Sequence, residues 1–122
     1  MNEKSIRRSD YLLREATKIA REARESRRIG EHERVVRKTQ EAIELWMKGR
    51  LMQQGVQPAK IHDLNELDRK LASSSGISEE DLLFISVQRI PSFYGADDLI
   101  PDETYSDADS QRCIAALEKI GI

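Results

Sequence analysis

Three polar residues recur at helical spacing in the middle of the chain: Gln40, Glu44 and Lys48 stand at i, i+4 and i+8. On a helix they form one slowly drifting stripe, and Glu44 precedes Lys48 at the spacing that favours an ion pair worth about 0.2–0.5 kcal/mol. As chemistry, Lys48 could hold a phosphate while Gln40 and Glu44 position the rest of a ligand. As structure, the same residues are a surface pair, and spacing alone favours that plainer role. His62-Asp63 follows at a predicted helix start, where the acid suits the positive helix end and the imidazole could cap, pack or line the rim of a groove. Tyr94, beside Phe93 in a Pro-rich stretch, could stack on a base or pin its segment to the bundle. The candidate ligand-binding set is therefore Gln40, Glu44, Lys48, His62 and Tyr94, and no residue is assigned a catalytic role.

Other chemistries find little support. A metal site needs three or four converging ligands, whereas the chain has two His far apart, one Cys, and neither His-x-x-x-His nor Cys-x-x-Cys. The six Gly are scattered and build no phosphate-cradling loop. No cofactor is expected. Cys113 falls near core positions of the last predicted helix, where a free Cys behaves as a small apolar residue.

These residues need helices to position them, and helical periodicity is the only strong one. Leu12, Ala16, Ile19, Ala20 and Ala23 predict a first helix over about 5–27, with Ser9 as a plausible N-cap and a break near Gly30. A second runs from about Glu31 to Gln54, with Val35, Val36, Ala42, Ile43, Trp46 and Met47 on its apolar face and Gly55 closing it. Leu51 and Met52 fall on its otherwise polar side, so cover is expected on both sides, from a third layer or from a second subunit. A third helix is predicted over about Ile61–Ser73, with Leu64, Leu67 and Leu71 on one face. A fourth opens at Ser78 and ends before Pro91. Pro91–Tyr105 reads as a long loop, and the last helix opens at Ser106–Asp109 with Ile114, Leu117 and Ile120 facing the core. With no β-type alternation, the fold class is all-α, an antiparallel four- to five-helix up-and-down bundle.

The 122 residues and formal charge of −2 suit one domain over 1–122. No run approaches the ~18 apolar residues of a membrane span, no leader is evident, and the lone Cys gives no sign of an oxidising compartment, so a cytoplasmic protein without membrane contact is expected. Residues 1–60 carry 15 basic and 9 acidic side chains, residues 61–122 carry 5 and 13. Such asymmetry can mark a nucleic-acid face or equally hold two halves of one bundle together, and the acids interleaved through the first half read as a solvated helix face.

The run Val35-Val36-Arg37-Lys38-Thr39-Gln40-Glu41-Ala42-Ile43-Glu44-Leu45-Trp46-Met47-Lys48, then Gly55, Pro58 and Ile61-His62-Asp63-Leu64, resembles the HEPN domain family (higher eukaryotes and prokaryotes nucleotide-binding). Gln40, Ala42, Glu44, Lys48, Gly55, Pro58, His62, Asp63 and Leu64 match its pattern, while Ile61 stands where Thr is usual. Ile90–Gly95 is similar to a Tyr-Ile-Pro-Ser/Thr-Arg-Tyr-Pro segment, with Tyr94 in place, Phe93 for the Arg and Gly95 for the Pro. Tyr105–Asp109 resembles the start of the family's last helix.

The resemblance implies an all-α bundle, a homodimer, and association with a minimal nucleotidyltransferase, as many members show. It also implies a test for catalysis. The ribonuclease branch places an Arg, a short spacer and a His at the start of the last long helix, and this chain has no His after His62. Arg27 and His32 have a fitting interval but stand between the first and second helices, so they are rejected as that motif. The reading is a non-catalytic binding module for a nucleotide or RNA, a partner of a nucleotidyltransferase, or both. Its rivals are a ribonuclease toxin of a toxin–antitoxin pair and a purely structural dimeric interaction protein.

Overall fold

A computed structural model describes residues 2–58, 60–94 and 104–122, with only the backbone for 87–94. Among these residues five helices and no strand occur: α1 (Glu3–Arg28), α2 (His32–Gln53), α3 (Leu64–Lys70), α4 (Glu79–Tyr94) and α5 (Asp107–Lys119). The all-α class and the pattern of four long or medium helices plus one short one are as the periodicity predicts.

Local chemistry explains most helix ends. Asn2, and not Ser9, caps α1: its Oδ1 accepts the Ser5 N–H at 2.8 Å. Ser9 lies buried inside the helix, its hydroxyl donating back to the Ile6 carbonyl. The first expectation looked for a cap just before the apolar repeat, but the helix begins two turns earlier on polar residues. α1 and α2 both end in a left-handed glycine. At Gly55, φ is +77°, its N–H donates to the Met52 carbonyl, and the Val56 N–H reaches back to Leu51. Gly30 does the same for α1, with Glu31 N–H on Ser26, and the reversal sets α2 antiparallel to α1.

α2 is the central element and touches all four other helices. Val35, Val36, Ala42, Ile43, Met47 and Leu51 are fully buried, and Met52 nearly so. The expected cover on both sides of its C-terminal half comes from this chain itself. On one side, α1 presents Ala16, Ala20 and Ala23, whose small size allows close approach. Gly49 marks the tightest point, since a Cβ there would lie 2.9 Å from two side-chain carbons of Leu13. Leu64, Leu67, Leu82, Ile85 and Leu117 close the rest of the same core. Each such side chain contributes about 1.5–3 kcal/mol on burial.

Two elements differ from expectation. α3 is only seven residues, because Asp63 caps it late and Leu71 already has extended backbone, ψ 141°. Ile61–Asp63 and Leu71–Ser73 are therefore connecting segments. α4 does not stop at Pro91 but continues to Tyr94. A proline removes one backbone donor and crowds the preceding turn, yet here it does not end the helix. The expected loop over Pro91–Tyr105 is thus helical at its start, and Gly95–Glu103 lie outside the described residues. Tyr105 is buried in the core.

Among the described residues, one ion pair joins a cation of the basic half to an acid of the acidic half. Arg27 pairs with Asp107 at 3.1 Å, and an Arg24 guanidinium N–H donates to the Ile122 carbonyl at 2.6 Å.

Candidate functional site

Gln40, Glu44 and Lys48 lie one turn apart on α2, and their side chains meet as their spacing predicts. The Gln40 amide donates to Glu44 Oε1 at 2.7 Å, and Lys48 Nζ donates to Glu44 Oε2 at 2.9 Å. The fourth member comes from outside the helix. His62, held at the start of the short α3 segment, places Nδ1 2.9 Å from the same Oε2. Asp63 fixes this approach by accepting the Asn65 and Glu66 N–H groups.

Three of the five candidate residues, Gln40, Lys48 and His62, therefore converge on the carboxylate of a fourth, Glu44. Tyr94 is the last residue of α4, and its side chain lies outside the described residues.

Depth within the cluster is graded. Gln40 is 2% exposed, the Glu44 and Lys48 side chains 13% and 17%, and the His62 side chain 56%. Burial by itself pushes the Glu44 carboxyl upward, but hydrogen bonds from Lys48, His62 and Gln40 and the Lys48 charge outweigh it, leaving the group below its ordinary 4.5. An ionised carboxylate only accepts, so His62 must carry a proton on Nδ1. In the neutral ring Nε2 is then an acceptor at the rim. Lys48 spends one of its three N–H bonds on Glu44, and the other two have no partner among the described residues. The cluster can thus offer both a donor and an acceptor to a polar ligand.

Arg27 and His32 are occupied elsewhere. Arg27 pairs with Asp107, and His32 Nδ1 lies 2.7 Å from the Ser110 hydroxyl, so both dock α5 onto the α1–α2 turn. Cys113 is fully buried, and burial pushes its thiol up to about 12, which leaves no thiolate for nucleophilic attack at neutral pH. Among the described residues, no three His, Cys, Asp or Glu side chains converge to hold a metal ion.

Sequence reasoning missed one feature. A cavity of about 420 Å³ is bounded by the C-terminal half of α2, the Leu71–Ser75 turn and the end of α5. Trp46, read only as a core residue, is partly buried and lines it with Arg50 and Lys119. The Ser73-Ser74-Ser75 run was visible as a helix breaker, but no spacing rule could pair it with residues so far away in the chain.

A family model for the HEPN domain matches residues 9–121, nearly the whole chain. The chain belongs to the HEPN family. Comparisons with curated proteins and with solved structures gave no match. The family match begins at Ser9, inside α1, and runs through α2, α3 and α4 to the end of α5. It also covers the stripe and the His62-Asp63 pair that carry the resemblance. Among the described residues, no helix is long and apolar enough to cross a membrane.

Proposed function

We propose that this HEPN chain is a non-catalytic binding module, acting as one domain over residues 1–122 in the cytoplasm. It recognises a nucleotide or RNA, and it works as a homodimer beside a minimal nucleotidyltransferase. The observation that carries this reading is the convergence of Gln40, Glu44, Lys48 and His62 on one partly exposed carboxylate cluster. In this reading Lys48 gives its spare N–H groups to a phosphate oxygen, and His62 offers Nε2 to a ligand donor. Glu44 holds both in place, with Gln40 bracing it from below. Tyr94 is proposed at the edge of the same groove.

Support for a binding role over cleavage comes from the chain's chemistry. No His follows His62, and the Arg27–His32 pair is engaged with α5. The test is titration of labelled RNA and nucleotides into the purified full chain, with RNA integrity scored alongside. Lys48→Ala should weaken binding roughly 10- to 150-fold, the loss of one charge-assisted hydrogen bond being worth about 1.5–3 kcal/mol, and His62→Ala up to about tenfold, a neutral bond being worth about 0.5–1.5 kcal/mol, while the RNA stays whole. Unchanged affinity in both variants would remove these site assignments. RNA cleavage that disappears in His32→Ala would replace the binding module with a ribonuclease.

A structural role for the same cluster has an observation in its favour, because every member already has a partner within the chain. The two roles separate at His62, which is the most exposed member. A binding role predicts that His62→Ala costs affinity more than stability, and a structural role predicts the reverse.

A further inference from the structure

Three consecutive serines follow α3, and their hydroxyls are used very differently. Ser74 donates to Asp68 at 3.3 Å and accepts the Gly76 N–H, while Ser75 is buried and accepts the Ile77 N–H. Ser73 is exposed, and its hydroxyl has no partner among the described residues. Its backbone is lightly held as well. Among the described residues, Ala72 and Ser73 share one hydrogen bond, from the Ala72 N–H to Gln54 Oε1 at 3.0 Å. The backbone is already extended at Leu71. Such a segment suits the groove in which a protein kinase holds an extended substrate.

The residues before Ser73 add a charge signature. Arg69 and Lys70, both exposed in the last turn of α3, stand four and three positions upstream. In a helix of only seven residues that turn opens at little cost. Kinases choose substrates by charge pattern, and cations on this side suit a basophilic enzyme with an acidic groove. Ser78 carries the opposite signature, since it accepts the Asp81 N–H and is followed by Glu79, Glu80 and Asp81.

The place where a phosphate would arrive is also on the page. Ser73 lines the cavity of about 420 Å³ together with Arg50 of α2 and Lys119 of α5. No carboxylate lines it, and Asp68, the acid before the turn, is committed to Ser74 and Ser75. Unpaired cations are common on this chain; these two are informative because an accessible serine shares their cavity. A phosphoserine carries a charge of about −1.5 to −2 and three acceptor oxygens, which a guanidinium and an ammonium can meet from two sides. We propose that Ser73 is a phosphorylation site for a basophilic Ser/Thr kinase, and that its phosphate docks between Arg50 and Lys119. The transfer bonds Ser73 Oγ to the γ-phosphorus of ATP and breaks that phosphorus's bond to the β-phosphate oxygen. ADP leaves with the electron pair, and the hydroxyl proton passes to the kinase's base. Docking pins the Leu71–Ser75 turn to α2 and α5. It also draws Arg50, which rests over the Trp46 ring at 5.8 Å from its centroid, toward the phosphate. The modification is independent of the Glu44 cluster.

The experiment has two arms, both on the full chain. In the first, a basophilic Ser/Thr kinase and ATP act on the protein, and the modified residue is mapped by mass spectrometry. Ser73 should carry the phosphate, Ser73→Ala should abolish it, and Arg69→Gln with Lys70→Gln should slow it at least about tenfold. In the second, phosphoserine is installed at position 73 during synthesis, and thermal unfolding and the emission of Trp46, the sole Trp, are followed. The modified chain should melt about 3 °C or more above the unmodified one, with a changed Trp emission. Arg50→Gln and Lys119→Gln should each remove about half of that rise while leaving the unmodified chain near its own midpoint. Phosphate on no serine, or on others and not on Ser73, overturns the site. A midpoint and emission that ignore the installed phosphate, or that respond equally with both cations neutralised, overturn the docking.

Discussion

Two sides of one helix handle charge in opposite ways. On the Glu44 side of α2, an anion is surrounded by donors: Gln40 and Lys48 from its own helix and His62 from the next segment. On the Trp46 side, Arg50 and Lys119 border a cavity with no acid among its lining residues. The first arrangement contributes to folding whether or not a ligand is present. The second has no such ion pairing among the described residues. Compensated charge near a core reads as structure first, and uncompensated charge around a concavity reads as recognition first.

The largest effect should come from breaking the compensated side. Glu44→Ala leaves the buried Gln40 amide and the half-buried Lys48 ammonium without their acceptor, a loss of about 2–3 kcal/mol in urea unfolding. Cys113 offers a second readout, because its buried thiol near 12 reacts only when the core opens. A 2–3 kcal/mol loss should speed labelling by a thiol reagent at pH 8 by roughly 30- to 150-fold.

Next is Gly49→Ala, on the face that α2 turns to α1. The new Cβ would press on Leu13 at 2.9 Å. Overpacking of about 1–3 kcal/mol should outweigh the roughly 0.5–1 kcal/mol that Ala contributes in a helix, for a net loss near 1 kcal/mol. The thermal midpoint should fall accordingly.

A pH-dependent effect of about the same size is expected around Glu44 itself. Its carboxyl lies below 4.5 when folded, so the stabilisation it brings is fully present above that pH and is lost as pH falls through the folded value. Acid unfolding followed by circular dichroism should therefore begin at higher pH in His62→Ala, which removes one of the groups holding the carboxyl down. At pH 7 the same variant should cost about 1 kcal/mol.

The smallest change in stability belongs to the cavity. Arg50→Gln and Lys119→Gln remove charges with no ion pair among the described residues, and each should shift unfolding by less than about 0.5 kcal/mol. A loss as large as that of Glu44→Ala would erase the contrast between the two sides.

Much of this molecule is legible from residue order. The spacing of Leu12, Ala16, Ile19 and Ala23, the glycines at 30 and 55, and the Ser78 and Ser106 starts mark out four of the five helices to within a few residues. Short-range rules fail where two of them compete. Ser9 has the right side chain for a cap, but Asn2 offers the same oxygen where the helix really begins. Pro91 has the right ring for a stop, yet α4 continues past it. Ile61 and Leu71 fit an apolar stripe, but Asp63 and the extended backbone at Leu71 shorten α3 from both ends.

The same boundary divides the sites. Helical rise and turn alone align Gln40, Glu44 and Lys48, because residues four apart lie on one face whatever the rest of the chain does. Only the packing of α3 against α2 decides that His62 completes the set, 18 positions from Glu44. The Trp46 cavity is tertiary throughout: α2, the serine turn and the end of α5 are separated by tens of residues and meet because their apolar faces share one core. Periodicity acts over a few bonds and can be read locally, whereas the burial that brings distant segments together has no preferred sequence separation.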